Sequence, residues 1–572
     1  MPSLSCNRRS FLAGFSAVSA GYFSFDALLS AQSGSPINLS ADILVAGGGV
    51  GGVAAALAAC RAGFRVILTE ETLWLGGQLT SQAVPPDEHP WIETQGCTRS
   101  YREFREQVRA LYRQRPLTPS AQSAINANPG GGWVSRLCCE PRLALEAIVS
   151  LLAPHLASGR LTLLLGHRPI SVERLGDRLG AVVFENLSEG KQRLVRASYL
   201  LDATELGDLL PLGEVEHVTG AESRLETGEP SALEKADPLD QQAITWCFAL
   251  EHYIGENWVI SSPPHYQRWR KYFPSMAPAW TGRLFDWAHC NPVNLASRTL
   301  PFDPVGEGGF PNLWTYRRLR DASKYVNPKN FPSVCLVNWP QNDHWIAPLI
   351  GPGISSTQKR DRELESKELS RAFLYWLQTD APRPDGGTGW PGLKPSADTL
   401  GTADGFAMAP YIRESRRIQA RFTVKEQHVS TTARMLETGA TKETVRAAVF
   451  SDSVGVGAYR IDLHPSTSGR NYLDLSSLPF QIPLGSLIPK RVENLLAAGK
   501  NIGVTHITNG CYRLHPVEWN IGEAAGTLAA FCLQRKQSPR SVHSKVNLMH
   551  DFQKQLRSDG FELEWTLAIH PL

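Results

Sequence analysis

The chain has 572 residues, of which 42% are hydrophobic and 20% are charged, a composition typical of a folded globular protein and not of a disordered or fibrous one. Its 58 basic and 55 acidic residues leave a formal net charge of +3, and no long run of one sign supplies the basic surface that nucleic-acid binding requires. The ten cysteines include no CxxC spacing, so the sequence predicts neither a zinc site nor a redox dithiol.

The N-terminal segment is typical of an export signal. Arg8 and Arg9 precede an apolar stretch that contains no Lys or Arg as far as Ala31. Residues 1–31 therefore resemble a twin-arginine signal, which the export machinery reads and which is not part of the fold. We expect export to the periplasm or cell envelope, and a Sec signal or an uncleaved anchor remain alternatives. No later stretch reaches the roughly 18 apolar residues that a membrane span needs.

The next stretch, "ADILVAGGGVGGVAAALAACRAGFRVILTEE", predicts a strand, a glycine turn, a helix and a second strand. Gly47 would make the tight turn, Gly49 would let the backbone approach a pyrophosphate, and Gly52 would let helix and strand pack closely. Glu70 ends the second strand, where a ribose hydroxyl would lie. This spacing predicts that a dinucleotide binds at the start of the helix.

Three later segments favour FAD over NAD. Gly77 and Gln78 follow the acidic strand end in a glycine pair that suits a larger cofactor. A helix near 141–157 and three strand-like runs then end in "YLLDATELGDLL", at Asp202, Ala203 and Thr204. Near the C-terminus, "VENLLAAGKNIGVTHI" predicts another apolar strand, which breaks at Gly499 before Asn501. Segments so far apart in the chain predict one interleaved domain.

The motifs "DATELGDLLPL", "PYIRESRRI", "IDLHPS", "QIPLGSLIP" and "HPVEWNIGEAAG" together resemble bacterial FAD-dependent oxidoreductases over nearly the whole chain after the signal. The resemblance implies an α/β protein with a glutathione-reductase-like, Rossmann-like FAD-binding domain (41–83, 140–212 and 485–535). It also implies an α+β substrate domain with lid loops (84–139 and 213–484) and an accessory segment (536–572). FAD is expected to be non-covalent, and attachment through a Cys, His or Tyr near the ring is the alternative. The residues expected to contact FAD are Gly47, Gly49, Gly52, Glu70, Gly77, Gln78, Asp202, Ala203, Thr204, Gly499, Asn501 and Gly522.

In "HPVEWNIGEAAG", Pro516 suits the first position of a helix, and Gly522 and Gly526 leave one face free for a backbone or a flat ligand. In the family fold this helix begins at the pyrimidine edge of the flavin, so Gly522 would help to seat the ring. The alternative is a buried helix packed on a sheet. His515 could act as a base or a donor at the flavin edge, and a metal site with His506 lacks a third ligand at sensible spacing.

Two further residues are candidates for catalysis. His464, in "IDLHPS", follows a predicted strand end and could take the proton that leaves an alcohol or amine. Arg413, in "YIRESRRI", could hold a substrate carboxylate or could form an ion pair in solvent. We expect hydride transfer from the C–H bond of an alcohol, sugar or amine to the flavin, with an unidentified electron acceptor. An FAD-containing hydratase or isomerase and a non-enzymatic carbohydrate-binding protein of the cell envelope are the alternatives.

Overall fold

The computed structural model of the chain describes residues 38–306, 311–566 and 571–572. The predicted export signal, 1–31, lies outside these residues. The strands are β1 (Asn38–Ala46), β2 (Val66–Glu70), β3 (Leu161–Leu165), β4 (His167–Leu175), β5 (Arg178–Asn186), β6 (Gln192–Asp202), β7 (His217–Val218), β8 (Ile244–Thr245), β9 (Phe248–His252), β10 (Ala288–Cys290), β11 (Ser297–Thr299), β12 (Arg318–Arg320), β13 (Val334–Val337), β14 (Asp343–His344), β15 (Leu393–Pro395), β16 (Arg417–Ile418), β17 (Ser453–Gly457), β18 (Ile461–Leu463), β19 (Leu473–Leu475), β20 (Phe480–Pro483) and β21 (Leu495–Ala497). The helices are α1 (Val50–Arg61), α2 (Arg99–Arg113), α3 (Pro119–Ser123), α4 (Pro141–Ala157), α5 (Leu209–Leu212), α6 (Arg224–Thr227), α7 (Tyr266–Arg270), α8 (Leu313–Tyr316), α9 (Ser356–Thr379), α10 (Ala397–Leu400), α11 (Glu426–Val429), α12 (Thr431–Thr438), α13 (His506–Tyr512), α14 (His515–Arg535), α15 (Pro539–Ser544) and α16 (Val546–Asp559).

The largest sheet is built from three separate stretches of the chain. Its strands run in the order β3-β2-β1-β6-β5-β4, and β21 lies beside the C-terminal end of β6. Strands β1, β2, β3, β6 and β21 are parallel, whereas β4, β5 and β6 form an antiparallel meander. The predicted α/β class with a Rossmann-like sheet is confirmed, although the predicted domain boundaries stay predictions.

The parallel arrangement positions the functional loops. Because the strands are parallel, the chain segments that follow β1, β2, β6 and β21 all leave the same edge of the sheet, where ligands bind in open α/β folds. Ala46, the last residue of β1, is paired with Asp202 of β6, and Ala497 of β21 is paired with the same Asp202. The predicted cofactor-binding turns after these three strands therefore lie side by side.

Helix α14 packs against α1, the helix that follows the glycine turn. Every residue of α14 from His515 to Cys532 is buried. A Cβ atom on Gly522 would lie 1.9 Å from the carbonyl oxygen of Gly51, and one on Gly526 would lie 2.3 Å from that of Ala55. Glycine at these positions lets the two backbones approach each other closely.

A second core lies around the antiparallel sheet β12-β13-β9-β15. Helix α9 covers this core, which holds many of the tryptophans, among them Trp287, Trp339 and Trp376.

Cys138 and Cys139 are free and buried, so these adjacent cysteines are thiols and not a vicinal disulfide. Among the residues that the structure describes, no helix is both long and apolar enough to cross a membrane.

Candidate functional site

The glycine turn between β1 and α1 is sterically fixed by its neighbours. Gly47 has φ +96°, and a Cβ atom there would lie 2.3 Å from the carbonyl oxygen of Ala203. A Cβ atom on Gly52 would lie 1.9 Å from the carbonyl oxygen of Gly47. Only glycine fits at both positions, so the turn brings the start of α1 against the end of β6.

Glu70 lies at this turn, as its position at the end of β2 predicts. Its carboxylate accepts a hydrogen bond from the backbone N–H of Gly48 (2.8 Å) and two from the backbone N–H and hydroxyl of Thr72 (2.8 Å each). Burial raises its pKa to about 7. Glu70 thus lies beside the N-terminal end of α1, where the ribose of a dinucleotide is expected.

Asp202 orders the turn that follows β6. One carboxylate oxygen accepts hydrogen bonds from the backbone N–H (3.1 Å) and hydroxyl (2.7 Å) of Thr204, and the other accepts one from the N–H of Leu209 (3.2 Å). The side-chain amide of Asn501 donates to the carbonyl oxygen of Asp202 at 3.0 Å. Asp202 therefore ties the turn after β6 to the loop after β21.

The loop that contains Gly77 and Gln78 closes over the same turn. A Cβ atom on Gly77, which has φ +46°, would lie 2.9 Å from the Cα of Gly49. The side-chain amide of Gln78 donates to the carbonyl oxygen of Arg513 (2.9 Å) and to the carboxylate of Glu518. This loop therefore joins the glycine turn to the beginning of α14.

Three buried polar atoms around these loops have no hydrogen-bond partner among the described residues: Gln78 Oε1, Asn501 Oδ1 and His515 Nε2. A buried polar atom without a partner is costly, and such atoms are common where a ligand binds. These three unpartnered atoms could bond to the hydroxyls and polar ring of a cofactor. The close backbone approach at Gly47, Gly49 and Gly77 leaves room for its phosphates. The residues present fit FAD.

Gly522 packs against a backbone, which is one of the two contacts that the sequence suggests for it. Its Cα faces Gly51 of α1, and helix packing is a sufficient reason for its missing side chain. The alternative reading, a buried helix, describes α14 well. Contact between Gly522 and the flavin stays a prediction. Gly499, in contrast, faces the first turn of α14, because a Cβ atom there would lie 3.2 Å from Glu518 Oε1.

His515, the first residue of α14, is fully buried. Its Nδ1 accepts a hydrogen bond from the backbone N–H of Asp87 at 2.9 Å, and the carboxylate of Asp87 forms an ion pair with Arg317 at 3.0 Å. Burial lowers the pKa of His515 to about 4. The neutral ring with Nδ1 as acceptor holds its proton on Nε2, which favours a donor over a base.

His464 follows β18 and has the geometry of a base. Its side chain is 21% exposed, and its Nδ1 lies 2.6 Å from Oδ2 of the fully buried Asp343. Its Nε2 lies 3.6 Å from Oδ2 of Asp462. Burial alone would raise the pKa of Asp343, but Arg413 and His464 lower it below its ordinary value. An ionised Asp343 therefore accepts the hydrogen bond from Nδ1–H and orients the imidazole, whose Nε2 faces Asp462.

The two terminal nitrogens of Arg413 are held by the protein. Its guanidinium donates to the carbonyl oxygen of Ala243 (2.8 Å), the hydroxyl of Thr245 (2.9 Å), Asp343 (3.1 Å) and the side chain of Asn338 (3.3 Å). Both terminal nitrogens are thus in use, and the geometry gives Arg413 the role of holding Asp343. A direct contact between Arg413 and a substrate carboxylate stays a prediction.

The structure adds residues to this site that the sequence does not predict. Arg513 donates to the hydroxyl of Tyr411 (2.8 Å) and to the carboxylate of Asp462 (3.2 Å). Asp462 precedes His464 by two residues. Since side chains at i and i+2 share one face of an extended chain, this spacing is a local signal that Asp462 lies beside His464. Nothing local identifies Asp343, which is 121 residues from His464. His506 Nδ1 contacts Glu414 at 2.9 Å.

Comparison with known proteins places the chain among flavoproteins. The family model described as "FAD dependent oxidoreductase" matches residues 42–556. No curated protein matches the chain. Solved structures with some likeness include quinol fumarate reductase of E. coli (10% identity, 91% of this chain and 74% of that chain, TM-score 0.30). Two others are L-proline dehydrogenase from P. horikoshii (14% identity, 33% and 25%, TM-score 0.17) and glycerol-3-phosphate dehydrogenase from Bacillus halodurans (13% identity, 40% and 42%, TM-score 0.23). The alignment spans only about a quarter of the proline dehydrogenase chain and under half of the glycerol-3-phosphate dehydrogenase chain, and at these TM-scores the likeness says nothing about substrate.

Proposed function

This chain belongs to the family of FAD-dependent oxidoreductases, and on that premise we propose that it oxidises a C–H bond of a small alcohol, sugar or amine. The electron acceptor that follows is unidentified. When bound, FAD supplies the two-electron acceptor for this oxidation. The observation that supports the choice of substrate is the contact between His464 and Asp343, because oxidation of an alcohol or amine requires a base for the proton on oxygen or nitrogen.

The cofactor would be held by the loops at the end of the parallel strands. The turn at Gly47 and Gly49 would approach the pyrophosphate, and Glu70 would bind the ribose. Within the described part of the chain, Gln78 Oε1 and Asn501 Oδ1 are buried and have no hydrogen-bond partner, so each would accept a hydrogen bond from the cofactor. The buried Nε2–H of His515 would donate to a polar atom of the cofactor or the substrate.

His464 would take the substrate proton at Nε2. Asp343 accepts the hydrogen bond from Nδ1–H and would stabilise the imidazolium that forms, as the acidic member of a catalytic triad does. Arg413 keeps Asp343 ionised and in position. The ring of Tyr472 lies 5.5 Å from that of His464, and its buried hydroxyl has no partner among the described residues, so it would bind a polar group of the substrate.

The test is an anaerobic screen in which purified FAD-loaded protein is mixed with alcohols, sugars and amines and the flavin absorbance is followed. Substrate should bleach the flavin. With that substrate, His464→Ala should slow reduction by about 10²-fold or more, as loss of a general base does, and FAD should stay bound. The exposed His550→Ala is the matched control. An unchanged rate in His464→Ala contradicts the assignment, and turnover without bleaching supports a hydratase or isomerase instead.

We also propose that the protein is exported through the twin-arginine route to the periplasm or cell envelope. The support is the Arg8–Arg9 pair and the apolar stretch that follows it. Replacing both arginines by lysine should retain the protein in the cytoplasm of a host that has this pathway, as measured by cell fractionation. Unchanged export would contradict the proposal.

A further inference from the structure

A buried ion pair lies at the glycine turn and has no part in the proposed mechanism. Lys500 Nζ contacts Oε2 of Glu205. The Lys500 side chain is 1% exposed, whereas that of Glu205 is 28% exposed. Glu205 follows Thr204 after β6, and Lys500 follows Gly499 after β21. The pair therefore joins two of the loops at the ligand-binding edge of the sheet.

The second oxygen of Glu205 lies against the two glycines that approach the cofactor. Oε1 would be 2.9 Å from a Cβ atom on Gly49 and 2.6 Å from one on Gly77. Gly49 is the N-cap residue of α1 and, as a glycine, has no side chain that could cap the helix. The free N–H groups and the dipole of a helix N-terminus favour an anion there. Glu205 thus lies near the position where an anion is expected.

Lys500 needs an anionic partner because it is buried. A buried cation without a partner is strongly destabilising. Burial alone would lower the pKa of Lys500, but Glu205 and Glu518 nearby raise it above its ordinary value, so the side chain is a cation. Glu518, the other carboxylate near Lys500, accepts a hydrogen bond from Gln78.

We propose that Glu205 is an internal substitute for the pyrophosphate of FAD, and that Lys500 exchanges Glu205 for the pyrophosphate when the cofactor binds. Two anions cannot share the space in front of Gly49 and Gly77 without strong repulsion. Glu205 is the more exposed partner and can rotate toward water, whereas Lys500 is held in place by its burial. Lys500 would then form a charge-assisted contact with a phosphate.

The exchange is tested by the binding of FAD, ADP and riboflavin to apoprotein, measured by fluorescence or calorimetry. Riboflavin lacks the pyrophosphate, and ADP lacks the flavin. Lys500→Met should weaken FAD and ADP binding by about tenfold or more, the effect expected for a lost charge-assisted hydrogen bond, and should leave riboflavin binding unchanged. Glu205→Gln should strengthen FAD and ADP binding, because it removes the competing anion. Lys490→Met, at an exposed lysine, is the matched control.

The double variant Glu205→Gln with Lys500→Met separates the proposal from a purely structural ion pair. It removes both charges of the pair at once, and the thermal midpoint of the apoprotein checks that it folds. Under the proposal, the double variant binds FAD and ADP more weakly than Glu205→Gln does, because only the contact of Lys500 with the phosphate differs between them. Equal affinities of these two variants overturn the proposal, and so does a loss of riboflavin binding without a loss of ADP binding.

Discussion

Replacing Gly522 by alanine should destabilise the protein through the contact between α14 and α1. The added Cβ atom would lie 1.9 Å from the carbonyl oxygen of Gly51, and ordinary van der Waals contact begins at 3.4 Å, so the helices must separate by about 1.5 Å. The obstructing atom is the backbone carbonyl oxygen of Gly51, which cannot rotate out of the way as a side chain could. Such overpacking costs about 1–3 kcal/mol or more, and alanine in a helix recovers only about 0.5–1 kcal/mol. We expect a net loss of about 1–2 kcal/mol.

The assay is thermal and urea unfolding of the apoprotein, with FAD affinity measured in parallel. Gly387→Ala is the matched control, because it lies in an exposed loop where the nearest atoms, at 3.2 Å or more, belong to side chains that can move. Gly522→Ala should lower the unfolding midpoint of apoprotein, and the control should not. If Gly522→Ala leaves apoprotein stability unchanged and weakens only FAD binding, the packing argument is refuted and contact with the flavin gains support.

Three further predictions concern charged groups. Asp343→Asn should slow anaerobic flavin reduction about as much as His464→Ala does, and unequal rate losses would contradict the pairing of the two residues. Because the folded pKa of Asp343 is lowered, the variant should also lose the stability that this carboxylate contributes above its unfolded pKa. His515→Asn should flatten the rise in unfolding midpoint between pH 4 and 6.5, since the folded pKa of about 4 lies below the ordinary 6.5 and the unfolded chain binds the extra proton. Glu523→Gln should remove a fall in stability between pH 4.5 and 7, since burial raises the pKa of Glu523 from 4.5 to about 7. This fall is worth up to ~3 kcal/mol. Thermal scans against pH measure the effects of His515→Asn and Glu523→Gln, and slopes equal to wild type would contradict these two predictions.

The sequence predicts those parts of the fold that depend on local spacing. The turn at Gly47 and helix α4 (Pro141–Ala157) follow from glycine positions and apolar periodicity over short windows. The sequence does not predict strand β4, because "HRPISVERL" places Arg and Glu among the apolar residues of a meander strand that is only partly buried. Three strand-like runs were therefore predicted where the structure has four.

The candidate site could be predicted only in part, because its contacts are not local. The cofactor loops are recognisable since each glycine follows a strand end. The contact of Asp343 with both Arg413 and His464 joins β14 to two distant segments, and no spacing in the chain reveals it. The same holds for Glu205 and Lys500, which are 295 residues apart in sequence. Only the shared edge of a parallel sheet brings those two residues together.

Helix α14 connects the cofactor loops to the proposed base. At its beginning, His515 accepts a hydrogen bond from Asp87, and Arg513 just before it holds Asp462 beside His464. Along its length, Gly522 packs against α1, whose first turn follows the cofactor glycines. Because α14 is buried and packs closely on α1, the position of α1 fixes where Arg513 and His515 lie. The close packing of two helices therefore sets the geometry between the cofactor cradle and the residues proposed to move the substrate proton.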